Sequence, residues 1–287
     1  MVTVSAPAKI NLTLEVLGKR PDGYHEIRSI IQTVSLCDTL RFAAGKNIDF
    51  HCSSPGWSAQ LSLVSKAVRL VVESTGHRGG VTIEVEKHIP LMAGLGGDSS
   101  DAAAVLIGLD RLWVLNLAPG RLAEMAEKLG SDVAFFLYGG TVLMGGRGEK
   151  ITPLPALLRH YVVLVNPATA RSAGKTTAMF AAIKPSHFTD GSITERLAQV
   201  IRAGKEITPS HLFNAFENVV FTHGAELTTY RSHIRKIGAP HVNLAGSGPA
   251  LFTLLKEKAQ AEDLATRLRN QGMETYLAET IACRESH

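Results

Sequence analysis

HIPLMAGLGGDSSDAAAVLIGLDRL, from His88 to Leu112, joins the end of a strand to a helix through a run of glycines. Upstream, Val81, Ile83 and Val85 alternate with polar residues, which predicts a half-buried strand. Pro90 ends it, because proline gives no amide hydrogen to a ladder. Gly94, Gly96 and Gly97 permit a tight turn or a backbone approach that a Cβ would block. Asp98, Ser99 and Ser100 suit a helix cap and Asp101 a first turn; from Ala102 the small residues predict a closely packed helix. A glycine turn meeting a helix amino terminus gathers free amide hydrogens, which suits phosphate, and Ser99 and Ser100 add hydroxyls. An ordinary capped strand–helix connection explains the same residues. Asp98 brings negative charge to any phosphate held there, a charge that magnesium or a nearby lysine would offset.

On the amino-terminal side, Val2 and Val4 predict a short strand interrupted by Pro7. Ile10, Leu12, Leu14 and Val16 alternate with polar residues in a second strand, which puts Lys9 and Asn11 on its polar side, the usual place of a solvated lysine. KRPDGYHEI carries a Pro-Asp-Gly turn, followed by the flat ring of Tyr24 and the imidazole of His25. Those two side chains suit a base or sugar, and a packed turn explains them equally. IRSIIQTVSL is ambiguous between strand and helix. FAAGKNIDFHC reads as a hairpin, and Leu61, Val64, Ala67, Val68 and Val71 fall on one helical stripe.

On the carboxyl-terminal side, Pro119 and Gly130 bracket a helix. Asp132 stands before Val133–Phe136, where a carboxylate caps a helix, accepts a proton or binds a metal. The prolines of ITPLPALLRH mark a domain boundary, giving domains over 1–155 and 156–287. GKT at Gly174–Thr176 is not a complete phosphate loop of the Walker type, since Thr169 replaces its first glycine. ATARSAGKTTAMF reads as a helix followed by a polar loop, and HLFNAFENVVF as a helix that puts Asn214 and Glu217 on one face. HVNLAGSGPALFTLLKE sets Gly246, Ser247 and Gly248 between two apolar strands, as a brace for a phosphate site or a plain tight turn. The closing strand–helix–strand order predicts an α+β domain.

The 287 residues can bury a large core, and the formal charge of +4 is spread without a lysine or arginine run. That excludes long polyanions such as nucleic acid as natural partners, while a small phosphorylated substrate remains compatible. Cys37, Cys52 and Cys283 are odd in number and widely spaced, which predicts a reducing compartment. Neither a signal segment nor a long apolar span is visible, so the expectation is a cytoplasmic protein away from membranes.

PAKINLTLEVLGKRPDGYHEI (Pro7–Ile27), IPLMAGLGGDSSDAAA (Ile89–Ala104) and LAGSGPALF (Leu244–Phe252) together resemble the GHMP kinase superfamily. PAKINL, PDGYHEI and GSDVAFF narrow the resemblance to its branch acting on a cytidylyl-methylerythritol. The resemblance implies an α+β fold of two domains with the active site in the cleft between them. It also implies transfer of the γ-phosphoryl group of ATP, with Mg2+, to the 2-hydroxyl of that substrate. Lys9 and Asp132 match the family's catalytic pair, and Asn11 a polar neighbour. Tyr24 and His25 match the residues that stack on and hydrogen-bond cytosine. Gly94, Leu95, Gly96, Gly97, Asp98, Ser99 and Ser100 match the ATP phosphate loop, supported by Gly246, Ser247 and Gly248. Asp98 is a departure, because the family commonly has glycine or another small residue there.

Overall fold

The computed structural model describes residues 1–169, 174–223 and 225–282; residues 170–173 of the ATARSAG segment, Gly224 and Cys283 lie outside them. The chain forms two compact units. One comprises Met1–Ala8, Cys37–Leu91 and Gly96–Tyr138; the other comprises Lys9–Leu36, Met92–Leu95 and the chain from Gly139. Two long strands, β1 (Val2–Lys19) and β2 (His25–Gly45), each give residues to both units, so no single cut separates them. β1 runs through Pro7 without interruption, and β2 resolves the ambiguous IRSIIQTVSL as strand.

In the first unit, β3 (Ile48–His51) pairs in parallel with β4 (Gly80–Glu86), and β4 pairs antiparallel with Thr39–Gly45 of β2. FAAGKNIDFHC is thus a turn but not a hairpin. The β4 strand, with Val81, Ile83 and Val85 buried, takes the place beside β2. Four helices complete the unit: α1 (Leu63–Thr75), α2 (Gly97–Trp113), α3 (Pro119–Leu129) and α4 (Ser131–Tyr138). In α1, Val64, Ala67, Val68 and Val71 are buried as their spacing predicts. Burial of a valine is worth about 1.5 kcal/mol or more, against a helix-propensity cost of at most about 0.7, so packing decides for helix. Leu61 does not join the stripe; it is exposed, because the helix starts only after its cap, Ser62.

In the second unit, Ile27–Gln32 of β2 pairs antiparallel with β5 (Thr141–Gly146), and β5 with β6 (Lys150–Pro153). A four-stranded antiparallel sheet has the order β11-β7-β10-β9, where β7 is Tyr161–Val165, β9 Asn243–Leu244, β10 Leu251–Leu255 and β11 Thr275–Glu279. The helices are α5 (Lys175–Ala182), α6 (Ser192–Arg202), α7 (Glu217–His223), α8 (Ala225–Ile237) and α9 (Lys258–Asn270). HLFNAFENVVF is not one helix. It makes a 3-10 turn, then the short strand β8 (Phe213–Asn214), and then α7. Asn214 therefore shares no helical face with Glu217: it pairs in parallel with Leu14 of β1, and its Oδ1 accepts from the Phe216 amide at 3.0 Å. That local bond diverts the chain from helix before α7 begins. Among the described residues no helix is long and apolar enough to cross a membrane.

Candidate active site

In β1 every residue from Lys9 to Val16 is buried, so both faces of the strand are covered. Lys9 and Asn11 are 6% and 4% exposed, and the solvated reading of Lys9 fails. A buried ammonium needs partners. Lys9 Nζ donates to Asn11 Oδ1 at 2.8 Å, Asn11 Nδ2 to Ser29 Oγ at 2.9 Å, and Ser29 Oγ to the Thr13 carbonyl at 2.6 Å. This relay fixes the head of Lys9 through two other residues of β1, Asn11 and Thr13, and one of β2, Ser29.

The first glycines of the central loop lie against the same strand. The Lys9 amide donates to the Leu95 carbonyl at 2.9 Å, and the Ala250 amide to the Ala93 carbonyl at 3.0 Å. Gly94 faces Gly246: a Cβ on Gly94 would stand 2.3 Å from the Ala245 carbonyl oxygen, and one on Gly246 would stand 2.8 Å from the Gly94 carbonyl oxygen. Only glycine permits that approach. Asn214 Nδ2 holds the second loop by donating to the carbonyls of Leu244 (3.0 Å) and Gly246 (2.8 Å). The hydroxyls of Thr176 and Ser247 are 3.0 Å apart, so the rejected GKT segment nonetheless touches this loop.

Helix α2 begins at Gly97 rather than near Ala102. Gly96 is its cap, in the left-handed region at φ 74°, and the first helical bond runs from the Ser100 amide to the Gly96 carbonyl at 2.9 Å. No side chain caps this terminus, so the amides of Gly97, Asp98 and Ser99 have neither a helical nor a side-chain acceptor. Asp98 turns to another helix. Its carboxylate accepts from Ser62 Oγ and, at 3.0 Å, from the Leu63 amide, while Ser62 Oγ accepts from the Val64 amide at 3.1 Å. Its charge is thereby committed to the amino terminus of α1. Ser100 is 1% exposed, and its hydroxyl has no partner. An uncapped helix start with an orphaned hydroxyl in its first turn is chemically suited to an anion.

Asp132 occupies the first turn of α4 and is half-buried. Tyr24 and His25 follow a turn closed by the Arg20 amide on the Tyr24 carbonyl (2.8 Å) and by the Tyr24 amide on Asp22 Oδ1 (3.1 Å). Tyr24 is 57% exposed, with the Arg147 guanidinium 4.8 Å from its ring centre. His25 stacks on Phe180 (5.3 Å, 17°) and meets Phe188 edge-on. Burial, and then the charge of Lys19, hold its imidazole below the usual value, which keeps it neutral with one donor and one acceptor nitrogen.

Sequence reasoning did not find Ser29, Arg147, Phe180 or Phe188 in these surroundings. They come from segments distant in the chain and carry no local pattern. Among the described residues no group of three or more histidines, cysteines or acids is placed to hold a metal ion.

The chain matches the GHMP kinases N terminal domain over residues 62–140 and the GHMP kinases C terminal domain over 196–273. It is 50% identical to a 4-diphosphocytidyl-2-C-methyl-D-erythritol kinase of Dehalococcoides mccartyi, over 98% of this chain and 99% of the relative. The kinase of that name from Bacillus pumilus is 37% identical over 96% of each chain. A crystal structure of 4-(cytidine 5'-diphospho)-2C-methyl-D-erythritol kinase superimposes with a TM-score of 0.83 at 33% identity, covering 97% of this chain and 99% of the other. An L. major mevalonate kinase, 18% identical with a TM-score of 0.74 over 100% and 97% of the two chains, shares the fold. The chain belongs to the GHMP kinase family and, within it, to the 4-diphosphocytidyl-2-C-methyl-D-erythritol kinases.

Proposed function

We propose that this chain transfers the γ-phosphoryl group of ATP to the 2-hydroxyl of 4-diphosphocytidyl-2-C-methyl-D-erythritol, in the cytoplasm, as a step of non-mevalonate isoprenoid precursor synthesis. The observation that carries the reading is 50% identity, over 98% of the chain, to a kinase named for that substrate.

In this reading the polyphosphate lies at the amino end of α2, where the uncapped amides of Gly97–Ser99 and the Ser100 hydroxyl offer donors. Gly94 and Leu95 supply the approach to it, and the Gly246–Gly248 turn braces them. Magnesium bound with the nucleotide would neutralise part of the phosphate charge at that end of the helix.

An alcohol is a weak nucleophile, and phosphoryl transfer is governed by alignment and electrostatics. Asp132 orients the 2-hydroxyl and receives its proton as the new oxygen–phosphorus bond forms. Lys9, its ammonium fixed by Asn11 and Ser29, stabilises the negative charge that develops. Preorganisation gives that lysine its value, since the charge is already in place when the reaction needs it. Tyr24 offers an exposed face to stack on cytosine, and neutral His25 offers both a donor and an acceptor to its edge.

The test is a magnesium-dependent assay with ATP and the cytidylyl-methylerythritol, in which the position of the new phosphate is resolved. Product phosphorylated at the 2-position is expected. Turnover of a mevalonate-like or homoserine-like alcohol in its place, with none of the cytidylyl substrate, would overturn the reading.

A further inference from the structure

Below the first turn of α2, a lysine and two aspartates are closed off from water. Lys87 Nζ lies 2.6 Å from Asp101 Oδ2 and also bonds Asp38; the three side chains are 3%, 0% and 0% exposed. Asp38 is fully engaged, because its Oδ1 also accepts from the amides of His88 (2.6 Å) and Ile89 (2.8 Å). Asp101 is not: its Oδ1 is buried without any partner. An ionised oxygen in that position would lose its hydration with nothing in exchange, whereas a carboxylic acid places no charge there. Two carboxylates around one ammonium leave one negative charge in excess.

The charged surroundings are few. Asp98 lies one turn back on the same helix, while the buried residues of α1, α3 and α4 are all apolar. The cluster also reaches the anion-binding end of the helix, since Lys87 Nζ is 3.4 Å from where a Cβ of Gly97 would stand. We infer that Asp101 is a positioning residue that holds a proton while polyphosphate occupies the amino end of α2, so that ATP binding is coupled to proton uptake. The inference rests on the proposed phosphate site.

Burial, opposed by the charge of Lys87 and aided by that of Asp38, lifts Asp101 from 3.8 to about 8. Bound phosphate adds negative charge nearby and raises it further. Below about pH 8 the proton is present with or without nucleotide, and affinity is level. Above it, free protein has lost the proton and must regain it on binding, so affinity falls by up to about tenfold per pH unit until the complex itself titrates. Magnesium-bound ATP is already fully ionised in that range and contributes no slope.

Calorimetry of magnesium–ATP binding to the full chain, at pH 7 and pH 9 in buffers of different ionisation heat, reads the proton directly. Wild type is expected to take up more proton at pH 9 than at pH 7 and to bind several-fold more weakly there. Asp101→Asn, neutral and similar in shape, is expected to lose both the extra uptake and the decline. Wild type that binds at both pH values without extra uptake overturns the coupling, as does an Asp101→Asn protein with an undiminished slope. A folded wild type that does not bind ATP at pH 7 overturns the phosphate site itself. Should Asp101→Asn fail to fold, the wild-type proton count alone still decides.

Discussion

Asp132 and Tyr24 represent two kinds of residue that are open to separate tests. Asp132→Asn keeps shape and hydrogen bonding but cannot take a proton; kcat is expected to fall about 10²–10⁴-fold while the dissociation constant for ATP moves less than about threefold. Near-normal turnover would remove Asp132 from the reaction. Tyr24→Ala removes an exposed stacking face, worth about 1–3 kcal/mol for a base. KM for the cytidylyl substrate should therefore rise about tenfold or more with KM for ATP nearly unchanged; parallel losses would indicate a damaged fold. Lys9 shows what a local pattern hides. Alternation along β1 marked one face as apolar and left Lys9 on the other, but burial of that second face depends on segments far away in the chain. The glycine turn into α2 and the Pro-Asp-Gly turn before Tyr24 were legible because glycine and turn chemistry act between neighbours in sequence. The Asn11–Ser29 link, 18 residues apart, was not.

At the scale of elements, periodic helices were legible and short strands were not. The valine stripe of α1 and the Pro119 and Gly130 signals around α3 are properties of a dozen adjacent residues. The two residues of β8 are too few to show any period, and their apolar neighbours imitate a helix. The start of α2 was placed several residues late because Asp98, Ser99 and Ser100 resemble caps; Gly96 does that work, and Asp98 serves α1. This reassignment makes a prediction. Asp98→Ala removes the acceptor of the Leu63 amide and of Ser62 Oγ, at a cost of about 1–2 kcal/mol, or a fall of several degrees in the melting temperature. KM for ATP should change less than about threefold, since the carboxylate is turned away to α1. A large improvement in ATP affinity, read in the same kinetics, would show instead that its charge opposes the phosphates.

For the whole molecule, the interleaving of the two units governs what can be separated. A fragment of residues 1–155 lacks β8, β9 and β10, and with them the partner of Thr13–Leu14 and the loop that faces Gly94. Such a fragment is expected to show no cooperative thermal transition, whereas the full chain shows one; a sharply melting fragment would refute the argument. The same arrangement has a consequence during synthesis. Thr13 and Leu14 leave the ribosome about 200 residues before Phe213 and Asn214, their ladder partners. At about 5–20 residues per second that is a delay of about 10–40 s. For that time a largely apolar strand offers an open edge to any other nascent chain. Yield of native protein should therefore depend on translation rate and on chaperones that cover the edge, and the lysine framed by that strand is among the last groups to reach its final surroundings.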